Sequence, residues 1–510
     1  MAVSKGGAGV SDQTMHTQTR RRRKHRPKWQ RVLRHYWPLI RLILLLVFCI
    51  LLIVFTIRAF VRNLSGNPAE QTPGREETAQ EGGETPEGTE SPEMPAEQET
   101  PAPASEEIQA KIDEADFVAA GYDYQGAIAM LKELNGWESS QAITDKIAEY
   151  EAADGQLQVY DNMPGITHIF FHSLVADNSR AFDGDATEKG YNLYMTTIPE
   201  FNDILESLYE KGYVLVSPYD VAGEITDENG THFGYREIRL PEGKKPFMMS
   251  QDDVNYYGYM VGGEDGSGDT PVFPNVNGDG FATKIVIGED GYPTCEYMDA
   301  DGNVMTGDYD LVPILEHFIQ AHPDFSYHGA RATLAFTGYE GVMGYRTKPA
   351  YEAAMGTEAY QKEVEDAKAV AQCLRDHGWD LASHSYGHPN YANIGAYDVE
   401  IDSDKWENTV ESIIGETDIL IYPHGGDVGG LEKYDMNNAK FAVLYNDGFR
   451  YFFNVDNCVA WHQIGDDYFR GNRRDLDGYR MYHHPDSMND LIDARAILDP
   501  GRPLPVPEIG

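Results

Sequence analysis

Leu42 to Ile57 is an unbroken apolar run bracketed by Arg41 and Arg58. As a helix these residues rise about 24 Å, short of the roughly 30 Å hydrocarbon core. The bracketing arginines can snorkel, and Tyr36, Trp37 and Phe60 suit the interface, so residues 37–61 are predicted to span a membrane. The run ends in Thr56-Ile57-Arg58-Ala59-Phe60, without the small-residue site of a cleaved signal. The stretch Arg20 to Arg34 is densely basic, so residues 1–36 are expected to stay cytoplasmic and everything after Arg62 to lie outside.

Residues 62–107 are Pro, Glu, Thr and Gly with almost no large apolar side chain. Such a segment cannot bury enough surface to offset ordering entropy, which predicts a disordered acidic tether. About 40 flexible residues reach roughly 35 Å, so the attached domain is expected close to the outer membrane face. Residues 108–158 then switch to helical spacing: Ile112, Ala115 and Ala119, then Ala127, Ile128, Leu131 and Leu134, then Ile143, Ile147 and Tyr150. The stretch AGYDYQGAIAMLKEL looks like a tetratricopeptide-type fragment. One copy cannot stack into a solenoid, which favours a helical spacer or cap over a peptide-binding repeat.

From Gly165 onward short apolar runs alternate with helical patterns. Strands are predicted at 166–171, 213–216, 246–249, 332–336, 379–382, 419–422 and 450–454, with helices around 198–209, 358–377, 405–414 and 439–446. A Gly/Asp-rich insertion carries a predicted hairpin, 284–287 paired with 294–298 across Glu289-Asp290-Gly291. The βα alternation predicts an α/β domain over 159–505 whose strand ends converge on one site, in a barrel or an open sheet.

Charge sharpens this picture. Residues 1–62 carry 13 Lys and Arg against one acid, whereas the remaining 448 hold 28 basic and 82 acidic groups, net −54. The large part therefore lacks the basic face that phosphate neutralisation needs, and nucleic acid is excluded as its partner. The same charge disfavours anionic polymers at low salt. The four cysteines, Cys49, Cys295, Cys373 and Cys458, form no C-x-x-C pair, against both a disulfide scaffold and a thiolate zinc site.

Three clusters follow predicted strands: Asp252-Asp253, then His384-Ser385-Tyr386-Gly387-His388, then Tyr422-Pro423-His424-Gly425-Gly426-Asp427. One H-x-x-x-H pair is not specific in a chain with 16 His, and His168–His172 is a second such pair. The combination is more informative. Two imidazoles four apart can face one metal, and a carboxylate from another strand end completes a three-ligand open site. An adjacent carboxylate then remains as a base.

At these residues the sequence resembles the polysaccharide deacetylases of the NodB-homology type, carbohydrate esterase family 4. Strand-D-D, then H-S-x-x-H, then a strand ending in a Pro-x-Gly turn come in that family's order, and ITHIFFHSL is similar to its opening strand. The resemblance covers roughly residues 163–500 and implies a distorted (β/α) barrel of NodB type with a β-hairpin insertion. It implies that Asp253, His384 and His388 ligate a divalent metal, zinc first, with cobalt or nickel also suited. It implies Asp252 as general base, the backbone after Pro423 with Tyr422 and His424 at the substrate and oxyanion, and His483 of Met481-Tyr482-His483 as the nearest match to a general acid, with His484 beside it and His462 as another option. The implied reaction is removal of N-acetyl groups from an extracellular glycan, such as peptidoglycan or another N-acetylated polymer, by attack of metal-bound water.

The pattern departs from that family in three places. The first motif reads S-Q-D-D-V, the third lacks the usual Arg and carries His424, and no clean Leu-x-His strand end occurs. A non-catalytic, membrane-tethered glycan- or protein-binding relative therefore stands as the alternative, as does an O-acetyl esterase using the same site. His172, following the opening strand, is read first as a satisfied structural histidine and second as a site-lining one. The Arg473-Arg474-Asp475 cluster is read first as a solvated or ion-paired loop; the resemblance implies, second, an Arg that orients Asp252. Tyr256, Tyr257 and Tyr259 are read either as sugar-stacking rings or as packing of the insertion.

Overall fold

The computed structural model describes residues 105–509 apart from 229, 263–270 and 457. The basic tail, the membrane-spanning helix and almost all of the acidic linker expected over 1–107 lie outside the described residues. Among the described residues no helix is long and apolar enough to cross a membrane.

Seven parallel strands close on themselves in chain order: β1 (His168–Phe171), β2 (Lys245–Gln251), β3 (Thr333–Phe336), β4 (Asp380–Ser383), β5 (Ile419–Ile421), β6 (Tyr451–Val455) and β7 (Phe469–Asp475). Each pairs with the next, and β7 returns to β1 through Arg474↔Ile169 and Asp475↔Phe170. The ring is irregular at β2. Its first residues pair outward with an extra strand, Tyr213–Leu215, and only Ser250 and Gln251 reach β3.

Alternation along the strands divides the core. Met248, Ala335, Ala382, Ile419, Ile421, Phe453 and Phe469 point inward and fill the barrel. Ile169, Phe171, Phe247, Met249, Leu334, Phe336, Leu381, Leu420 and Phe452 belong to the outer layer, packed against the surrounding helices. Strands buried on both faces read as continuous apolar runs, which is why FMM, TLAF and ILI carried a clear signal. The helices bear one apolar face each. Ile198–Glu210 starts at a Thr197/Glu200 capping box and buries Phe201, Ile204, Leu205 and Leu208.

The predicted hairpin forms, Lys284–Ile287 against Pro293–Met298, and Val304–Gly307 adds a third antiparallel strand. The helix expected over 405–414 begins earlier, as Ala396–Trp406, and passes through a π-turn at Glu407–Glu411. Ahead of the barrel, α1 (Ser105–Ala120), α2 (Tyr124–Lys132) and α3 (Gln141–Asp154) share a small core of Ile112, Ala115, Ala127, Leu131, Ile143 and Tyr150 among others. They dock on the barrel. The Tyr122 hydroxyl donates to the Asp324 carbonyl at 2.8 Å, and Arg239 pairs with Asp154 at 2.9 Å. Tyr122 itself joins the inner core with Ile166 and Tyr327, which precede β1 and β3, so the helices close the end away from the strand C-termini.

Candidate metal centre and its surroundings

β2 delivers two adjacent carboxylates to the barrel mouth. The Asp252 amide donates to the Phe171 carbonyl at 2.8 Å, continuing the ladder one residue past the strand. Its side chain continues the inward row of Met248 and Ser250 and is buried. Arg473 of β7 donates to both carboxylate oxygens, at 2.6 and 2.8 Å, and also to Ser250 Oγ at 3.1 Å. His168 Nε2 lies 3.0 Å from the same Ser250 Oγ. Burial pushes the Asp252 carboxyl up, but Arg473 and then His384 outweigh it and hold the group well below the usual carboxylate range. Burial, reinforced by Arg473, pushes the His168 imidazole well down, so it stays neutral.

The chain reverses at once. Asp253 has φ 55°, and its carboxylate leaves the strand direction to face the histidine cluster. Tyr257 donates to Asp253 Oδ1 at 2.6 Å, while Oδ2 lies 3.6 Å from His388 Nε2. Burial raises this carboxyl, and His388, His384 and His172 more than offset it.

His384 follows β4 and is buried. Its Nδ1 donates to the Ile421 carbonyl at 2.9 Å, which leaves the Nε2 lone pair for the mouth. Burial pushes this imidazole down to about 4, against the pull of Asp252 and Asp253. Ser385 and His388 adopt φ 64° and 54°, so the segment coils left-handed instead of forming a helical turn. Asp402 holds that coil: its carboxylate accepts from the Tyr386 and Gly387 amides and the Tyr391 hydroxyl, each at 2.8 Å. The result brings His388 Nε2 to 3.2 Å from His384 Nε2.

These distances suit a cation. For nitrogen and oxygen ligands about 2.0–2.1 Å from zinc, a tetrahedral edge is about 3.3–3.4 Å. The His384–His388 edge is 3.2 Å, the His388–Asp253 edge is 3.6 Å, and one donor atom from each of the three lies within 4.8 Å of the others. Exposure is graded: His384 and Asp252 are 2% and 4% exposed, whereas His388 and Asp253 are 29% and 19% exposed. The buried pair forms the floor, and the accessible pair faces solvent. Four non-glycine residues here, Asp253, Ser385, His388 and His424, have φ between 54° and 64°. Strain of about 1–3 kcal/mol per residue is characteristic of sites whose surroundings over-determine them.

The third cluster divides. Tyr422 turns its side chain into the outer core, where its hydroxyl lies 2.9 Å from that of Tyr434, so only its backbone borders the mouth. Pro423–Gly425 makes a tight turn in which the amides of Gly425, Gly426 and Asp427 donate to backbone carbonyls. The exposed His424 ring packs edge-on to His388, with centroids 4.4 Å apart. Partial desolvation and then the neighbouring His388 lower its basicity.

Other sequence-derived candidates lie in various places. His172 follows β1 at the mouth, packs edge-on to Phe170, and has Nδ1 3.2 Å from the Tyr194 carbonyl. His483 ends the helix Gly478–His483 with Nε2 3.0 Å from the Val506 carbonyl and Nδ1 3.5 Å from Glu508, so its ring is engaged by the C-terminal segment. His484 lies beside Tyr479, and His462 packs edge-on to Phe469. Arg473 is not in a loop; it is an inward-facing barrel residue with 0% side-chain exposure. Arg474 points the other way, to Asp490. The Tyr257–Asp253 hydrogen bond and the His168–Ser250 contact had no sequence signal beyond the spacing of the residues.

No family model matches the chain, and no curated protein matches it. Among solved structures, the Streptococcus pyogenes deacetylase PplD in complex with acetate is similar, with TM-score 0.33 and 10% identity over 66% of this chain and 98% of that one. So distant a likeness decides nothing about this chain; the barrel rests on its own strand pairing and the site on its own distances.

Proposed function

We propose that this protein is a metal-dependent hydrolase that removes acetyl groups from the amines of an extracellular glycan, tethered to the outer membrane face by residues 37–61. The observation that carries the reading is the convergence of Asp253, His384 and His388 within 4.8 Å beside a second acid, Asp252, whose oxygens both accept from Arg473. A seven-stranded parallel barrel with its acids and imidazoles at the strand C-termini is also the framework that the resemblance to polysaccharide deacetylases implies.

The chemistry a divalent cation supplies at such a site is to acidify water and polarise an acyl carbonyl. The chain's own groups do the rest. Asp252, kept ionised and oriented by Arg473, accepts the proton of the attacking water. On this reading the backbone after Pro423, where His424 takes φ 55°, supplies the donor for the carbonyl oxygen as it gains charge. Two imidazoles border the mouth, His172 and His424; one of them, in its protonated form, gives a proton to the departing amine, and Asp252 releases the proton it took to solvent, which re-protonates the imidazole. The amide C–N bond breaks, acetate leaves, and a free amine remains on the glycan. The strongly acidic exterior part favours a neutral stretch of substrate.

The test is acetate release by the purified full chain from N-acetylated glycan oligomers, with O-acetylated oligomers assayed in parallel. Release that is abolished by chelation and by Asp252→Asn supports the proposal. Release confined to O-acetyl esters moves the assignment to an esterase. Bound cation with no release from either substrate assigns the barrel to binding.

A further inference from the structure

We propose that Tyr257, supported by Thr337, is a positioning residue that fixes which oxygen of Asp253 is offered to a cation; this rests on the reading of Asp253, His384 and His388 as cation ligands. Tyr257 lies four positions after Asp253 and is buried. Its Oη is 2.6 Å from Asp253 Oδ1 and 2.7 Å from Thr337 Oγ1. Proton counting orders these bonds. An ionised carboxylate only accepts, and a phenol has one proton, so Tyr257 donates to Asp253 and Thr337 donates to Tyr257. Asp253 Oδ1 is thereby occupied, and Oδ2, the oxygen 3.6 Å from His388 Nε2, is the one aimed into the cluster.

The surroundings leave Tyr257 little freedom. Its ring stacks on Tyr259 and meets Tyr339 edge-on, with both centroids 5.9 Å away. Asn255 ties the Tyr257 loop to the end of β3: its Nδ2 donates to the Thr337 carbonyl at 2.9 Å, and its Oδ1 accepts from the Thr337 amide at 3.1 Å. Thr337 is itself buried. The chain Thr337–Tyr257–Asp253 therefore plays for the carboxylate the part that the Ile421 carbonyl plays for His384: each orients a donor from behind.

The experiment is a competition titration of the full chain with Zn²⁺ against a chelating dye, together with the visible spectrum of the Co²⁺ form. Tyr257→Phe keeps the ring and removes one hydroxyl; it is expected to weaken Zn²⁺ binding about 10–100-fold. It is also expected to shift the Co²⁺ bands as the second carboxylate oxygen becomes free to ligate. Thr337→Val is expected to change both readouts in the same direction, and Thr337→Ser to restore them. Urea unfolding of each metal-free variant separates loss of fold from loss of positioning. Wild-type affinity and an unchanged Co²⁺ spectrum in a folded Tyr257→Phe protein overturn this inference alone. Failure of the wild-type chain to bind either ion overturns the cation site and this inference with it.

Discussion

Arg473 spans the mouth of the barrel to grip Asp252 through both carboxylate oxygens, at 2.6 and 2.8 Å, across 221 positions of sequence. The pair is buried, so its geometry is fixed by the wall strands β2 and β7 and is little screened by water. Arg473 also rests its guanidinium 4.2 Å from the centre of the Phe170 ring. The proposed base is thus held ionised and immobile, with Oδ2 3.8 Å from His384 Nε2.

Arg473→Met removes the charge that outweighs burial, so the Asp252 carboxyl is expected to rise above its usual range. A base protonated at higher pH moves the acid limb of kcat/KM upward in pH. Breaking a buried pair also costs about 3–5 kcal/mol of stability. In the wild type, the depressed carboxyl contributes stability that is present above its unfolded pKa and is lost as pH falls through the folded value. A pH–rate profile and urea unfolding of the variant check both effects. An unmoved acid limb contradicts the assignment of Asp252 as base.

His168 and His384 are both buried and neutral, with burial as the leading cause of their lowered basicity. The unfolded chain takes up protons at these positions as pH falls below about 6.5, while the metal-free folded chain does not. Stability is therefore expected to fall toward acid, by up to about 1.4 kcal/mol per pH unit for each histidine. Urea unfolding at pH 7.5, 6.5 and 5.5 measures that slope. His168→Gln is expected to reduce it, and an unchanged slope argues that His168 is charged in the fold.

Asp402 touches no donor of the cluster, yet it accepts three hydrogen bonds from the coil that carries His388. Asp402→Ala leaves those donors without their anionic acceptor, at a cost of about 3 kcal/mol. It also releases His388 from its left-handed conformation. The expected outcome is a folded but less stable protein with weakened Zn²⁺ affinity, read by unfolding and by dye competition. Undiminished affinity means the coil holds its shape without this residue.

Legibility followed the physics of each segment. β3, β5 and β6 are apolar on both faces, so TLAF, ILI and YFF announced themselves, and the acids and histidines stood just past strand ends. β7 did not. Its sequence, FRGNRRD, sends Arg473 inward to Asp252, while Arg470 pairs with Asp427. Charges neutralised by such distant partners look like a solvated loop until the partners are placed. Motif position points to His483, but its helix presents it to Val506 and Glu508. Tyr257 reads from the sequence as a stacking or packing ring, since sequence spacing shows a phenol's neighbourhood and not where its proton goes.

On the proposed function, Asp253, His384 and His388 together hold one divalent cation. Elemental analysis of the purified full chain after equilibration with Zn²⁺ and removal of free ion measures this directly. One ion per chain is expected, falling to none in the His384→Ala, His388→Ala double variant while its circular dichroism stays that of the wild type. A wild-type chain that emerges without metal, or a double variant that retains the full complement, contradicts the account.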